Sequence, residues 1–352
     1  MVRRVVALAV VGVACGARSD LSPPPGPSCA TSALAERPCR ALAFGVTPVE
    51  LATPSAFGDQ LLDRGDHVDA ITGTSVTSLV LTDSSITVTG TRDAPDLCGP
   101  LAPSGGLFAS LCNDPYTVVR VYDGSYARLL EKEIATPSVA QQIVGGPSSW
   151  LAAWDGFAAT VGSDGELLVD PVSEPGSFAR TACGFVAVGE TSWLTPPVAL
   201  QADFDAPSSL ATFDTASDMI AALPPTPWPY DGASVAFVIS PDAFTSGPTF
   251  LEVVGPSGAS RFASAGGDLY ATPMGLVMLQ AQSSGFLGAG PLGATIIGPD
   301  GATTASLTVD TTNGYYGGAR AVWSGGALLV VWVRSTEQEK PTVFGATLRC
   351  AD

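Results

Sequence analysis

The segments Leu328-Leu329-Val330-Val331-Trp332 and Gly345-Ala346-Thr347-Leu348 have close counterparts earlier in the chain. Leu276-Val277-Met278-Leu279 matches the first segment at an offset of 52 residues, and Gly293-Ala294-Thr295-Ile296 matches the second at the same offset. Two separate segments in one register indicate an internal structural repeat. Each unit is predicted to be a β-hairpin, because apolar runs alternate with turns rich in Gly, Asp and Ser.

Weaker copies of this hairpin occur along the rest of the chain. A second register, at an offset of 43 residues, relates residues 296–302 to residues 253–259. The seven units counted in this way begin near Val76, Gly105, Trp150, Phe185, Val235, Leu276 and Leu328. They start about 42 residues apart on average, which is the length of a four-stranded propeller blade.

An all-β fold follows from these repeats. A lone hairpin cannot bury its apolar strands, so like units must stack, and stacking in a ring leaves only short, protected edges. Residues 42–352 are therefore predicted to form a β-propeller of six to eight four-stranded antiparallel blades, with tandem β-sandwiches as the alternative. Helical periodicity is scarce, and residues 126–135 and 218–223 are the plausible short helices, although both also suit strand or loop.

The repeats resemble the β-propeller repeats of exported bacterial lipoproteins. In those repeats an apolar strand ending in tryptophan, such as residues 328–332, precedes a strand such as residues 343–348. The resemblance covers residues 230–350 well and is faint before about residue 100. It implies a propeller of unspecified subfamily.

The N-terminus is typical of a secretion signal. Arg3 and Arg4 precede an unbroken apolar run, residues 5–14, which is too short to cross a membrane as a helix. Residues 1–14 are therefore predicted to be a signal peptide.

The apolar run ends Val11-Gly12-Val13-Ala14-Cys15, which resembles the lipobox of bacterial lipoproteins. The resemblance implies lipid attachment at Cys15 and, with Gly16 next, transfer to the outer membrane or cell surface. Residues 15–41 would then be a lipid-anchored, Pro-rich tether, because Ser22-Pro23-Pro24-Pro25-Gly26-Pro27 favours a stiff extended chain. The alternative is ordinary cleavage after Ala17, which gives a soluble periplasmic or secreted protein.

The cysteine count agrees with export. With Cys15 assigned to lipid, six cysteines remain as disulfide candidates: Cys29, Cys39, Cys98, Cys112, Cys183 and Cys350. Local spacing favours Cys29–Cys39 and Cys98–Cys112, which leaves Cys183 with Cys350. Six cysteines allow fifteen pairings, so this connectivity is a preference among them.

Composition disfavours several classes of partner. The net charge of -17 repels phosphate backbones, so no nucleic acid is expected, and contact with the membrane is expected through the lipid anchor alone. A single histidine and the lack of a CxxC pair argue against a metal site, and no cofactor motif occurs.

No catalytic residue is assigned. His67 is the single histidine, no G-x-S-x-G sequence occurs, and the tripeptide Arg64-Gly65-Asp66 is too short to indicate integrin binding. Trp228, between two prolines, is the tryptophan expected to be exposed.

The favoured function is a surface-displayed binding or scaffolding module for protein or glycan. The alternative is an extracellular polysaccharide hydrolase or lyase that uses carboxylates, such as the pairs Asp203 with Asp205 and Asp66 with Asp69.

Overall fold

The computed structural model describes residues 33–351 except for short gaps at 52–58, 114–115, 136–139, 147, 155–156, 169–171, 174–176, 182–183, 190–197, 204–205, 213–218, 241–248, 256–257, 265, 282–288 and 336–340. The strands of this part form five four-stranded antiparallel sheets and one seven-stranded sheet. They belong to seven blades, numbered here in chain order.

Each blade has four strands. Blade 1 contains β2 (Gln60–Asp63), β3 (Val68–Thr72), β4 (Ser75–Leu81) and β5 (Ile86–Asp93). Blade 2 contains β6 (Ala102–Ser104), β7 (Leu107–Asn113), β8 (Thr117–Tyr122) and β9 (Arg128–Ala135). Blade 3 contains β10 (Ala140–Gly145), β11 (Trp150–Trp154), β12 (Phe157–Val161) and β13 (Val172–Ser173). Blade 4 contains β14 (Ser177–Thr181), β15 (Gly184–Gly189), β16 (Val198–Asp203) and β17 (Ala206–Thr212). Blade 5 contains β18 (Met219–Pro227), β19 (Val235–Ser240), β20 (Thr249–Gly255) and β21 (Gly258–Ser264). Blade 6 contains β22 (Asp268–Thr272), β23 (Gly275–Ala281), β24 (Ala289–Ile297) and the first half of β25 (Thr303–Ser324). Blade 7 contains the second half of β25, β26 (Ala327–Ser335), β27 (Thr342–Cys350) and β1 (Leu42–Glu50).

The seven-stranded sheet is two blades joined by one long strand. β25 pairs with β24 up to Tyr315 and with β26 from Tyr315 onward, so it serves as the outer strand of blade 6 and the inner strand of blade 7. Six sheets therefore supply seven four-stranded units. The inner strands of neighbouring blades contact one another from β6 through β10, β14, β18 and β22 to β25, and β25 of blade 7 contacts β2 of blade 1.

The predicted all-β propeller of six to eight blades is confirmed. The two segments that define the 52-residue offset lie on β23 and β26, the second strands of adjacent blades, and two strands separate them in the sheet. The two plausible helices are instead strands, because residues 128–135 form β9 and residues 219–227 form β18.

Burial on both faces explains the continuous apolar runs. In β26, Leu328, Val330 and Trp332 pack toward blade 6, whereas Leu329 and Val331 pack toward blade 1. All five side chains are at most 1 % exposed. A blade between two others needs apolar residues at every position of its central strands, which replaces the alternating pattern of a half-exposed strand.

The chain ends close the ring. β1, from the N-terminal side, pairs antiparallel with β27 at the C-terminus, with Leu42 opposite Cys350 and Glu50 opposite Phe344. A disulfide joins Cys39 to Cys350 beside this pairing, with 5.6 Å between their Cα atoms. The last blade is thus completed by the first strand.

The disulfide at the ring closure differs from two of the predicted disulfides. Since Cys39 bonds Cys350, the pairings Cys29–Cys39 and Cys183–Cys350 are wrong, and both Cys29 and Cys183 lie outside the described residues. Spacing along the chain favoured near neighbours, whereas ring closure brings together residues 311 positions apart. The Cys98–Cys112 bridge is present as predicted, with its Cα atoms 5.6 Å apart.

Glutamine side chains bridge neighbouring blades at the inner strands. The Nε2 of Gln60 donates to the carbonyl of Leu101 at 2.6 Å, and the Leu101 N–H donates to Gln60 Oε1 at 2.7 Å. Gln142 makes the same pair of bonds to Phe178, at 2.8 and 2.6 Å. Each amide therefore satisfies a backbone donor and acceptor that has no strand partner across the gap between blades.

We predict that Gln142→Ala lowers the free energy of unfolding by about 1–3 kcal/mol, because it leaves the N–H and C=O of Phe178 unpaired. Gln142→Glu should cost nearly as much, since a carboxylate would face the Phe178 carbonyl without a proton to donate. Urea unfolding of the two variants checks this, and wild-type stability in both would show that the bridge is dispensable.

Candidate functional site at the channel mouth

A cavity of about 830 Å³ opens at the end of the central channel where the inner strands begin, here called the mouth. The start of β2, residues 98–101 before β6, and the first residues of β10, β14 and β22 all line it. Its polar lining side chains come from all seven blades: Asp59, Gln60, Asn113, Gln142, Ser177, Thr226, Asp268, Tyr270 and Arg320. A concave site of this size with convergent polar groups is typical of small-molecule binding.

Several of these polar groups already hold the ring together. The amides of Gln60 and Gln142 bridge blades, and the Thr226 hydroxyl donates to the Leu269 carbonyl at 3.1 Å. Asn113 Oδ1 accepts the N–H of Ala140 at 2.7 Å. The charge available to a ligand therefore comes mainly from the aspartates and the arginine.

Asp268 and Arg320 form an ion pair at the mouth, with 3.7 Å between Asp268 Oδ2 and Arg320 Nη1. Their side chains are 52 % and 40 % exposed, so both can contact a ligand. Partial burial raises the pKa of Asp268, and the charge of Arg320 opposes that rise. Arg320 also donates through Nε to the backbone carbonyl of Asp59 at 3.3 Å, which fixes the guanidinium between blades 7 and 1.

Tyr270 lies beside this pair. Burial raises the pKa of its phenol to about 12, so the hydroxyl keeps its proton at neutral pH. The hydroxyl donates to the carbonyl of Ala319 at 3.3 Å. The mouth thus offers a carboxylate, a guanidinium and a neutral phenol, which together accept and donate charge-assisted hydrogen bonds.

The single histidine lies elsewhere, in the connection between β2 and β3. Its Nδ1 lies 2.6 Å from Asp66 Oδ1, and its Nε2 lies 3.4 Å from Asp69 Oδ1. Asp69 is fully buried and accepts hydrogen bonds from Ser78 Oγ at 2.6 Å and from the Tyr126 hydroxyl at 2.7 Å. The serine therefore bonds the aspartate and not the histidine, which is not the order that activates a serine nucleophile.

Two arginines surround the same carboxylate. Arg64 Nε and Arg92 Nη2 lie 3.8 and 3.6 Å from Asp69 Oδ2, and both guanidinium groups lie within 5.4 Å of the Tyr126 ring centre. The cluster joins blade 1 to the turn between β8 and β9 of blade 2. Its geometry indicates a structural role at this blade interface.

Other residues singled out by sequence have structural roles or lie outside the described part. Trp228 is 5 % exposed and packs between blades 5 and 6, so its predicted exposure is wrong. Its flanking prolines mark the connection between β18 and β19, which folds back on the core. Asp203 ends β16, while Asp205 and Cys15 lie outside the described residues.

The turns at residues 162–165 and 298–301 are hairpin turns, which the pattern of Gly, Asp and Ser between apolar runs predicts. Gly165 and Gly301 adopt φ of 76° and 75°. Their N–H groups donate to the backbone carbonyls of Gly162 and Gly298, three residues earlier in each turn. Asp164 and Asp300 accept the N–H of the residue two positions on, at 3.1 Å in each turn. These carboxylates are used by the turn backbone.

Sequence reasoning missed Asp268, Tyr270 and Arg320. One signal could have found the charged pair, because Asp268 and Arg320 are separated by the same 52 residues that relate the two repeats. They occupy equivalent inner-strand positions, Asp268 opposite Leu279 and Arg320 opposite Val331. Opposite charges at equivalent positions of adjacent inner strands face each other across the channel wall.

Two kinds of feature are absent from the described residues. No helix in this part is long and apolar enough to cross a membrane. No group of three or more His, Cys, Asp or Glu side chains in the same part is placed to hold a metal ion.

Comparison with known proteins shows the fold alone. No family model matches the sequence, and no curated protein matches it. A catalytically inactive histidine-to-alanine variant of virginiamycin B lyase from Staphylococcus aureus, solved with quinupristin, has a TM-score of 0.56 at 12% identity, covering 87% of this chain and 99% of that one. The WD40 domain of Pan2 from Neurospora crassa has a TM-score of 0.50 at 9% identity, covering 90% of this chain and 98% of that one.

Proposed function

We propose that this protein is an exported binding module that holds a polar ligand in the mouth of its central channel. The observation that carries the proposal is the 830 Å³ cavity with the half-exposed Asp268–Arg320 pair and the neutral phenol of Tyr270 at its wall. The volume lies within the range of about 300–1,000 Å³ that is usual for ligand pockets. WD40 propellers, which share the fold, are consistent with a binding role.

We expect Asp268→Asn combined with Arg320→Gln to weaken ligand binding at least about 10-fold, because both charged partners of the ligand are lost. Saturation-transfer NMR with a mixed library of oligosaccharides and short peptides measures this on the wild-type and variant proteins. Asp66→Asn, which changes an exposed carboxylate far from the mouth, is the matched control. Equal binding by all three proteins would contradict the proposal.

A second candidate function is cleavage of the ligand. Asp59 and Asp268 both line the mouth, and the raised pKa of Asp268 favours a carboxyl group that can donate a proton. The lyase among the structural neighbours is compatible with this chemistry, although replacing a histidine by alanine makes that lyase inactive and His67 of this chain does not line the mouth. Mass spectrometry of each oligosaccharide after incubation distinguishes the two functions, since a binding module returns it intact.

The N-terminal segment supports an orientation for this module. Ala35 donates its N–H to the carbonyl of Pro229, and Cys39 donates to Met274, both in connections between first and second strands. Those connections lie at the end of the channel opposite the mouth. A chain anchored through Cys15 would therefore present the mouth away from the membrane, and the disulfides of the described part suit the oxidising compartment that export implies.

We predict that Cys15→Ala moves the protein from the detergent phase to the aqueous phase in Triton X-114 partitioning. Acyl chains hold a protein in the membrane in proportion to their buried CH₂ groups, about 0.8 kcal/mol each. The anchor is disproved if the variant and the wild type partition alike.

A further inference from the structure

Two exposed aromatic side chains stand on the face of the ring that carries the mouth. Tyr116 is 41 % exposed and lies in the connection between β7 and β8 of blade 2. Phe157 is 44 % exposed and begins β12 of blade 3. The other exposed large apolar residues of the described part are Leu34, Leu129 and Leu168.

Strand register connects both aromatics to the mouth. Asn113, which lines the mouth, ends β7 three residues before Tyr116. Phe157 pairs with Trp154, and Trp154 pairs with Ala140, another lining residue. Ala140, Trp154 and Phe157 thus form one row of directly paired residues across blade 3. Phe157 is therefore two strands, or about 10 Å, outward from the mouth.

The row also shows which way Phe157 points. Directly paired residues of antiparallel strands lie on the same face of the sheet, and Trp154 packs in the cluster between blades 2 and 3. Phe157 therefore projects on the blade 2 side of blade 3. Tyr116 belongs to blade 2 and lies in a connection on the same face of the ring.

We infer that Tyr116 and Phe157 form a stacking rim that extends the mouth, and that the ligand is an uncharged oligosaccharide. The inference rests on the proposed function and names the ligand class of the same site. Aromatic faces pack against the apolar faces of sugar rings, while the carboxylate of Asp268 and the guanidinium of Arg320 suit neighbouring hydroxyls. The net charge of -17 disfavours an anionic glycan.

An extended peptide suits the mouth less well. A peptide bound in extended form takes much of its affinity from free backbone N–H and C=O groups of its receptor. At the mouth, the backbone groups of Leu101 and Phe178 are bonded to Gln60 and Gln142, and the Leu269 carbonyl accepts from Thr226. Recognition therefore depends on side chains, which suits hydroxyl groups.

The test is calorimetric titration of the full-length protein with cellotetraose, xylotetraose, mannotetraose, chitotetraose and a tetrapeptide control, each up to about 5 mM. At least one tetrasaccharide should bind. Tyr116→Ala and Phe157→Ala should each weaken it about 3- to 10-fold, and together at least about 10-fold. Leu129→Ala and Leu168→Ala, matched truncations of exposed apolar side chains away from the mouth, should leave the affinity unchanged.

The outcomes separate the rim from the mouth. If Asp268→Asn weakens a tetrasaccharide and the two aromatic variants do not, the rim is refuted and the proposed function stands. If the aromatic variants weaken binding and Asp268→Asn does not, the rim stands and the site is not the mouth. If no tetrasaccharide binds, or if the tetrapeptide alone binds, the assignment of an oligosaccharide is overturned.

Discussion

Replacing both Cys39 and Cys350 by serine is expected to lower the free energy of unfolding by about 5–6 kcal/mol. The disulfide closes a loop of 311 residues, and the chain-entropy model relates stabilisation to the logarithm of loop length. The matched double variant of Cys98 and Cys112, which are 14 positions apart, should lose only about 3 kcal/mol.

Equilibrium urea unfolding under non-reducing conditions measures both losses. The Cys39 and Cys350 variant should keep the same far-UV circular dichroism, because β1 remains hydrogen-bonded along β27. Equal losses in the two double variants would show that the covalent ring closure adds nothing beyond an ordinary local bridge.

Asp69→Ala is expected to cost about 3–5 kcal/mol of stability. The substitution leaves the hydroxyls of Ser78 and Tyr126 without their buried acceptor and leaves the charges of Arg64 and Arg92 without their common counterion. Asp69→Asn should cost less, about 1–3 kcal/mol, because its amide oxygen still accepts a hydrogen bond.

The matched control is Asp66→Ala. Asp66 also contacts His67, but its side chain is 85% exposed, so its loss should not change stability measurably. Thermal and urea unfolding of the three variants provide the comparison. Similar stability of Asp69→Ala and Asp66→Ala would mean that the cluster does not hold blades 1 and 2 together.

The sequence predicted the features that depend on local pattern. Continuous apolar runs such as residues 328–332 and Gly-Asp turns such as residues 162–165 are set within one hairpin, so they can be recognised from a short stretch. The short loop between Cys98 and Cys112 is also local. These features were sufficient for the propeller and for one disulfide.

The features missed by the sequence depend on how distant segments meet. β1 joins blade 7 because the ring closes, and the Cys39–Cys350 bridge follows from that closure. Trp228 is buried because the neighbouring blade covers it, although its flanking prolines suggested an exposed loop. Asp268 and Arg320 belong to no motif, and they form a site only where two inner strands are adjacent.

The most direct test of the binding site is a crystal structure of the full-length protein soaked in the same tetrasaccharides at about 10 mM. The account predicts sugar density in the mouth, in contact with Asp268, Tyr270 and Arg320, and extending toward Tyr116 and Phe157. An empty mouth, or sugar bound at the opposite end of the channel beside Arg64 and Tyr126, would contradict it.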